Sequence, residues 1–380
     1  MHELLDLLTD LVAIDSVNPD LVPGGAGEAA MAEFVAEWGR QNGLDVQVQE
    51  AAAGRPNTVL IARGSGGGKS LMLNAHTDVV GVSGMDTPFE PKIVDGCMYG
   101  RGAYDMKSGL AACMLALKRA QRMALSGDVI VSAVADEEYG SVGAEALLAE
   151  WERWPADAVL IAEPTELAIS IAHRGFVWLE YEVNGVAAHG SRPQLGIDAI
   201  VKMGKVLTAL DALDQKLCAQ PRHDLLGSGS LHASFIEGGE EISMIPARCK
   251  LLAERRTIPG ESAASVEAEA QALLDEIAAT DPDFKARVKA TFSRSPYGIA
   301  ADHALVRTLK QHAEACLQSD VPVIGSSWWM DAALFGDHGI PTVVLGPAGA
   351  GAHARVEWVN LESVARCQEI YTALVADYCR

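Results

Sequence analysis

Several short apolar runs end in residues that can hold a cation or move a proton. In LMLNAHTDVV, His76 and Asp78 lie two apart. On an extended backbone they point to the same side, which suits a metal-ligating imidazole whose other ring nitrogen is held by a carboxylate. The alternative is a core histidine beside an aspartate that caps the next segment. In GRGAYDMKSGL, Asp105 precedes a helical pattern, where a helix N-cap is its ordinary role. In VIVSAVADEEYGSVG, Asp136, Glu137 and Glu138 follow an apolar run in succession. Adjacent carboxylates raise each other's pKa unless cations compensate, although a solvated loop explains them equally well. Consecutive side chains diverge, so one glutamate can bind a cation while its neighbour faces a substrate. Glu163 closes the run in LIAEPTEL, and GPAGAGAHARVEW presents His353 from a glycine-rich loop.

Together these form a mixed nitrogen and oxygen donor set, suited to zinc, cobalt or manganese rather than calcium or magnesium. Three carboxylates offset most of the charge of two divalent ions, leaving about +1 before a hydroxide bridges them. One ion alone would leave the group over-anionic. The expected cofactor is therefore a pair of divalent metal ions, zinc first.

These residues need a scaffold that brings strand ends together. The first 170 or so residues alternate helical patterns (Leu4–Ile14, 28–42, Gly109–Met123, Ala144–Trp151) with apolar runs (Asn57–Ile61, Ser70–Leu73, Val129–Val134, Ala158–Ile161). Such alternation predicts an α/β fold, a mostly parallel sheet covered by helices. Strand ends at the carboxyl edge of that sheet open onto the crevice where α/β proteins hold ligands. From about Gly175 the pattern changes. Strands at Phe176–Val183, Leu231–Ile236, Ile245–Arg256 and Ala286–Phe292 alternate with helices at Ile197–Leu217 and Ser262–Ala279. That is the split βαβ order of a small α+β, ferredoxin-like domain. The expected organisation is a catalytic domain of residues 1–174 and 289–380, interrupted by an inserted domain at 175–288.

The chain has 380 residues, with Asp+Glu 51 against Lys+Arg 30 and a formal net charge of −21. A nucleic-acid or anionic-membrane partner needs a basic footprint, which this balance speaks against. No run reaches the roughly 18 apolar residues of a membrane span. The N-terminal MHELLDLLTDLVAID reads as an amphipathic helix without the basic start of a signal peptide. Seven scattered cysteines without a CxxC pattern predict reduced packing residues in a cytoplasmic protein. No GxSxG element or Walker pattern points to a serine nucleophile or a phosphate loop.

At this point the sequence resembles the M20 family of metallopeptidases and amidohydrolases, nearest to its acetylornithine deacetylase and succinyl-diaminopimelate desuccinylase branch. The matching elements, in family order, are HTD (76–78), GRGAYDMKSG (100–109), DEEYGSVG (136–143), EPT (163–165), GVAAHGSRPQLGIDAI (185–200) and GPAGAGAH (346–353). The resemblance implies that His76, Asp105 and Glu163 hold one metal, and that Asp105 bridges to a second held by Glu138 and His353. It also implies that Asp78 orients His76, that Glu137 is the general base, and that a cis peptide follows Asp105. The insert resembles the family's lid and dimerisation domain. There His189 would reach a neighbouring active site in a homodimer and polarise the scissile carbonyl.

The sequence departs from the family in places. Ser243 stands where asparagine is usual in GGEEISMIP, and serine cannot offer an amide donor and acceptor together. Arg256 still aligns with the arginine expected to grip a substrate carboxylate. Trp328 and Trp329, before Asp331, either wall an acyl pocket or pack the core. The implied activity is hydrolysis of the amide of an N-acyl amino acid by metal-activated water, with Glu137 as base. A carboxypeptidase or dipeptidase acting on small peptides uses the same centre, and a non-catalytic metal-dependent binding protein is the reading from another class.

Overall fold

The computed structural model describes residues 2–380. The described residues form two compact units: one of 2–171, Ile299–Ile324 and Met330–Arg380, the other of Ala172–Gly298 with Gly325–Trp329.

The first unit is built on a sheet whose order runs Asp45–Ala52, Arg55–Ala62, Val129–Val134, Leu71–His76, Ala158–Ile161, Thr342–Val344, Ile169–His173. The four strands from Val129–Val134 to Thr342–Val344 pair in parallel, and the flanking pairs are antiparallel. Those four strands are buried throughout. This explains why they are apolar along most of their length instead of alternating, since a sheet covered on both faces leaves no solvent side.

Helices supply the cover. In His2–Ala13, Leu4, Leu7, Leu8 and Leu11 recur at helical spacing and are buried, each contributing about 1.5–3 kcal/mol on burial. Ser108–Ala120 is buried along nearly its whole length. Leu361–Tyr378 begins at Asn360, whose side chain accepts the backbone N–H of Ser363 at 2.9 Å, a cap for an otherwise orphaned donor.

In the second unit the strands Gly175–Asn184, Ser230–Gly238, Arg248–Thr257 and Lys285–Arg294 form an antiparallel sheet, and the helices Ala199–Ala219 and Ala263–Thr280 complete the split βαβ order. In sheet order the second strand is at one edge, followed by the third, first and fourth. Val177, Leu179, Tyr181 and Val183 alternate into a core with Met203, Val206 and Leu210 of one helix and Val266, Ala270 and Leu274 of the other. Among the described residues no helix is long and apolar enough to cross a membrane.

Candidate metal centre

The four parallel strands end side by side. His76 is the last residue of its strand and pairs in register with Val134, two residues before Asp136. Glu163 follows Ile161, which pairs with Val344, and the chain beyond Val344 leads to His353. Asp105 comes from Ala103–Lys107, an irregular turn ahead of the helix Ser108–Ala120, and the Asp105–Met106 peptide is cis. Two glycines let this helix and the His353 loop close on the end of the Ala158–Ile161 strand. A Cβ on Gly109 would stand 2.2 Å from the Ala162 carbonyl oxygen, and one on Gly346 would stand 2.1 Å from that of Glu163.

The geometry centres on the Asp105 carboxylate. Its Oδ1 is 3.1 Å from His76 Nε2 and its Oδ2 is 3.5 Å from His353 Nε2. His76 Nε2 also faces Glu163 Oε1 at 3.5 Å, and His353 Nε2 faces Glu138 Oε2 at 2.9 Å. One carboxylate thus offers an oxygen to each of two imidazole–glutamate pairs. Within His76, Asp105 and Glu138, and again within His76, Glu137 and Glu163, donor atoms lie within 4.8 Å of one another. His76 Nδ1 donates to the Asp78 main-chain carbonyl at 3.0 Å, which turns Nε2 toward the carboxylates. The Asp78 carboxylate is farther from that nitrogen, at 3.5 Å. The donor set fits divalent cations: imidazole nitrogens beside carboxylates, with mutual donor distances short enough for an ion to replace the direct contacts.

The electrostatics have the same form. Burial, and then the charge of Glu163, push Glu137 well above the ordinary carboxylate range. Burial and the charge of Asp105 do the same for Glu163 and raise Glu138. Burial would also raise Asp105, but hydrogen bonds to His353 and His76 outweigh it and hold that carboxyl low. Burial works against a charged His76, but Asp105 and Asp78 outweigh it and hold the imidazole well above its usual value. His353 is pushed up to about 10 by hydrogen bonds to Asp105 and Glu138. Asp331, 2% exposed, adds its charge to the field that raises Glu137 and Glu163.

Asp78 does more than orient an imidazole. Its Oδ1 accepts the backbone N–H of Glu137 at 3.1 Å, and its Oδ2 accepts that of Glu138 at 3.2 Å. The first acid of the triplet turns the other way. Asp136, at φ 69, is buried and accepts from Asn18 Nδ2 at 2.8 Å and Arg55 Nη2 at 2.9 Å. Asn18 Nδ2 also donates to Asp78 Oδ2 at 2.7 Å, so one amide joins the two carboxylates behind the glutamate pair. The Arg55 guanidinium grips Glu28 as well, with both glutamate oxygens engaged. Replacing Arg55 with methionine leaves Glu28 and Asp136 buried without their cation. Unfolding in urea should show a loss of about 3–5 kcal/mol, and a loss below about 1 kcal/mol would mean that the network is not load-carrying.

In the second unit, the short strands Ala188–His189 and Met244–Ile245 pair, with His189 opposite Met244 and the Gly190 N–H donating to the Ser243 carbonyl at 2.7 Å. His189 and Ser243 are therefore close, and both are exposed. His189 Nδ1 accepts the Ser191 N–H at 3.1 Å, which leaves the proton of the neutral ring on Nε2. Arg256 stacks 5.3 Å from the Phe176 ring centroid, and its Nε donates to Glu254 at 2.6 Å. The neighbouring Arg255 is buried and paired with Glu261. Trp329 packs edge-on to His173, and its Nε1 donates to the Ser295 carbonyl, while Trp328 is exposed. Trp329 thus has a packing role, whereas Trp328 is not part of the buried core.

Comparison with known proteins follows the same lines. The model of Peptidase family M20/M25/M40 matches residues 72–377. Acetylornithine deacetylase of Myxococcus xanthus is 30% identical over 381 residues, covering 98% of this chain and 96% of that protein. Among solved structures, aminopeptidase PepT from Bacillus cereus superposes with a TM-score of 0.80 at 20% identity, covering 100% of this chain and 99% of that one. The Bacillus subtilis YXEP protein, a dinuclear metal binding peptidase from M20 family, does so with 0.77 at 16% identity, over 100% and 98% of the two chains.

Proposed function

From the premise that this chain belongs to peptidase family M20/M25/M40, and so is a metallohydrolase of amide bonds, we propose that it removes the acyl group from N-acyl amino acids. The single observation that supports hydrolysis at a metal centre here is the Asp105 carboxylate, with one oxygen toward His76 and the other toward His353. In this reading His76, Asp105 and Glu163 hold one cation, and Asp105, Glu138 and His353 hold the other, zinc before cobalt or manganese. The bound cations would supply the Lewis acidity that polarises the acyl carbonyl and eases deprotonation of the attacking water.

The protein's own groups do the rest. Glu137, its carboxyl raised by burial and by the charge of Glu163, removes the proton from water and delivers it to the leaving amine nitrogen. Asp78 fixes the backbone of Glu137 and Glu138 and the tautomer of His76. His189, with its proton on Nε2, donates to the carbonyl oxygen as negative charge develops there, reaching the site of a neighbouring subunit in a homodimer. The pairing with Glu254 uses Arg256 Nε, so its two terminal nitrogens are left to grip the substrate carboxylate bidentately. Ser243, beside His189, takes the place of an amide side chain in contacting substrate with a single hydroxyl.

The deacylase reading draws on the acetylornithine deacetylase relatives, which match along the full chain. The test is a panel of N-acetyl and N-succinyl amino acids set against dipeptides, with zinc, cobalt and manganese supplied separately. We expect kcat/KM on the best N-acyl amino acid to exceed that on the best dipeptide by about tenfold or more, a difference of about 1.4 kcal/mol in transition-state binding. Faster turnover of dipeptides would make the enzyme a peptidase instead.

A further inference from the structure

We propose that the buried Arg101–Glu357 pair is a positioning element that registers the loop carrying Asp105 against the loop carrying His353. This sets the geometry of the cation position shared by Asp105, Glu138 and His353, and it rests on the two-cation reading above. Glu357 is 1% exposed. Its Oε1 accepts the backbone N–H groups of Tyr104 at 2.9 Å and of Asp105 itself at 3.1 Å. Its Oε2 accepts the N–H of Gly102 at 3.0 Å and Arg101 Nη1 at 2.6 Å. Ala103–Lys107 is not a regular helix, and Asp105 and Met106 have non-helical φ/ψ. Its amides therefore need an outside acceptor, and one side chain supplies it for two of them, Tyr104 and Asp105, and for Gly102 just ahead.

Arg101 links this assembly to the second loop. Its Nη2 donates to the Ala354 carbonyl, next to His353, at 2.9 Å, and to the Gly81 carbonyl at 3.1 Å. Between Ala352 and Val356 the His353 loop is exposed, and His353 sits at φ 61. Two anchors on this stretch of loop, the Ala354 carbonyl and the Glu357 side chain, converge on one guanidinium. The same pair therefore sets the position of the bridging carboxylate and of the loop that brings up the imidazole. An ion pair serving only the fold would have no reason to collect the amide of the ligand residue itself.

Substitution separates the two roles. In Glu357→Gln an amide donor replaces one oxygen and meets backbone donors, so one half of the cradle is lost. In Arg101→Lys the charge remains, but a single ammonium cannot replace the planar fork that reaches Glu357 and Ala354 together. The metal-free wild type and both variants are compared by thermal unfolding and then titrated with Co2+, following heat and visible absorption. For wild type we expect two equivalents bound. In Glu357→Gln the second equivalent should bind about 10–100-fold more weakly, with an altered cobalt spectrum, the size of effect that supporting residues have on metal sites. The first equivalent, which shares Asp105 but not the His353 loop, should be weakened less than the second, and Arg101→Lys should fall between wild type and Glu357→Gln. Two equivalents with wild-type affinity and spectrum in both variants would overturn the proposal, even if the unfolding temperature drops. Should Glu357→Gln fail to fold, Arg101→Lys decides alone. Wild type taking up fewer than two equivalents would overturn the two-cation reading and this proposal with it. Unchanged variants beside a two-equivalent wild type would overturn this proposal only.

Discussion

Glu137→Gln is expected to lower kcat on the best N-acyl amino acid by about 10²–10⁴-fold, the range attributable to a positioned proton-transfer group, while metal content and fold stay at wild-type levels. The carboxyl of Glu137 is raised first by burial and then by the charge of Glu163. A carboxyl so placed holds a proton more readily than an ordinary surface glutamate does. Glutamine keeps the shape and the Glu137 N–H bond to Asp78, so the binding geometry should survive and KM should change little. What is lost is the ability to take a proton from water and return it to the amine. The acidic limb of the wild-type pH–rate profile, which reports protonation of this base, should vanish in the variant. Glu138→Gln provides the contrast. Glu138 Oε2 lies 2.9 Å from His353 Nε2, so its loss should show first as reduced metal content. Full turnover by Glu137→Gln would remove it from the mechanism, and loss of metal in that variant would make it a ligand instead.

The site was readable in the sequence where chemistry and fold leave the same mark. His76, Glu137, Glu138 and Glu163 each follow an apolar run, and a buried parallel strand must be such a run. Asp105 and His353 carry no strand signal, because turns and loops deliver them, and they stood out only through their glycine-rich surroundings and the family resemblance. Within the acid triplet the sequence does not distinguish Asp136 from its neighbours. Its inward turn depends on Arg55 and Asn18, far away in the chain, which the strands and loops bring to it. The same holds for Glu357 and Arg101, 256 positions apart. Glu357 left one faint signal, an acid four residues after His353. In the fold, the strand Asp45–Ala52 has no apolar run to mark it, because DVQVQEAA lies at the sheet edge and is mostly uncovered. The insert was legible because its strands are covered on one face and alternate cleanly.

Cation binding is expected to expel protons and to strengthen steeply with pH. In the metal-free protein His353 titrates near 10, and His76 is held well above its usual value by Asp105 and Asp78 in spite of burial. Both imidazoles are therefore held toward the protonated form, and a cation that takes their Nε2 must displace that proton. Each proton displaced makes the apparent affinity rise about tenfold per pH unit. With one imidazole in each site, the product of the two affinities should rise with pH more steeply than either affinity alone. Calorimetry in buffers of different ionisation enthalpy should count about one proton or more released per cation. The stability of the chelated protein should move in the opposite direction. A histidine whose folded pKa is raised contributes stability that is fully present below the unfolded value of 6.5 and is lost as pH rises through about 10. The metal-free protein should therefore weaken across that window, while the loaded protein, with neutral imidazoles already committed to cations, should lack this loss. A chelated protein whose unfolding temperature ignores pH between 6.5 and 10, together with cation uptake that releases no protons, would show that the imidazoles are not charged by their carboxylate neighbours. The protons would then not be standing in for the cations.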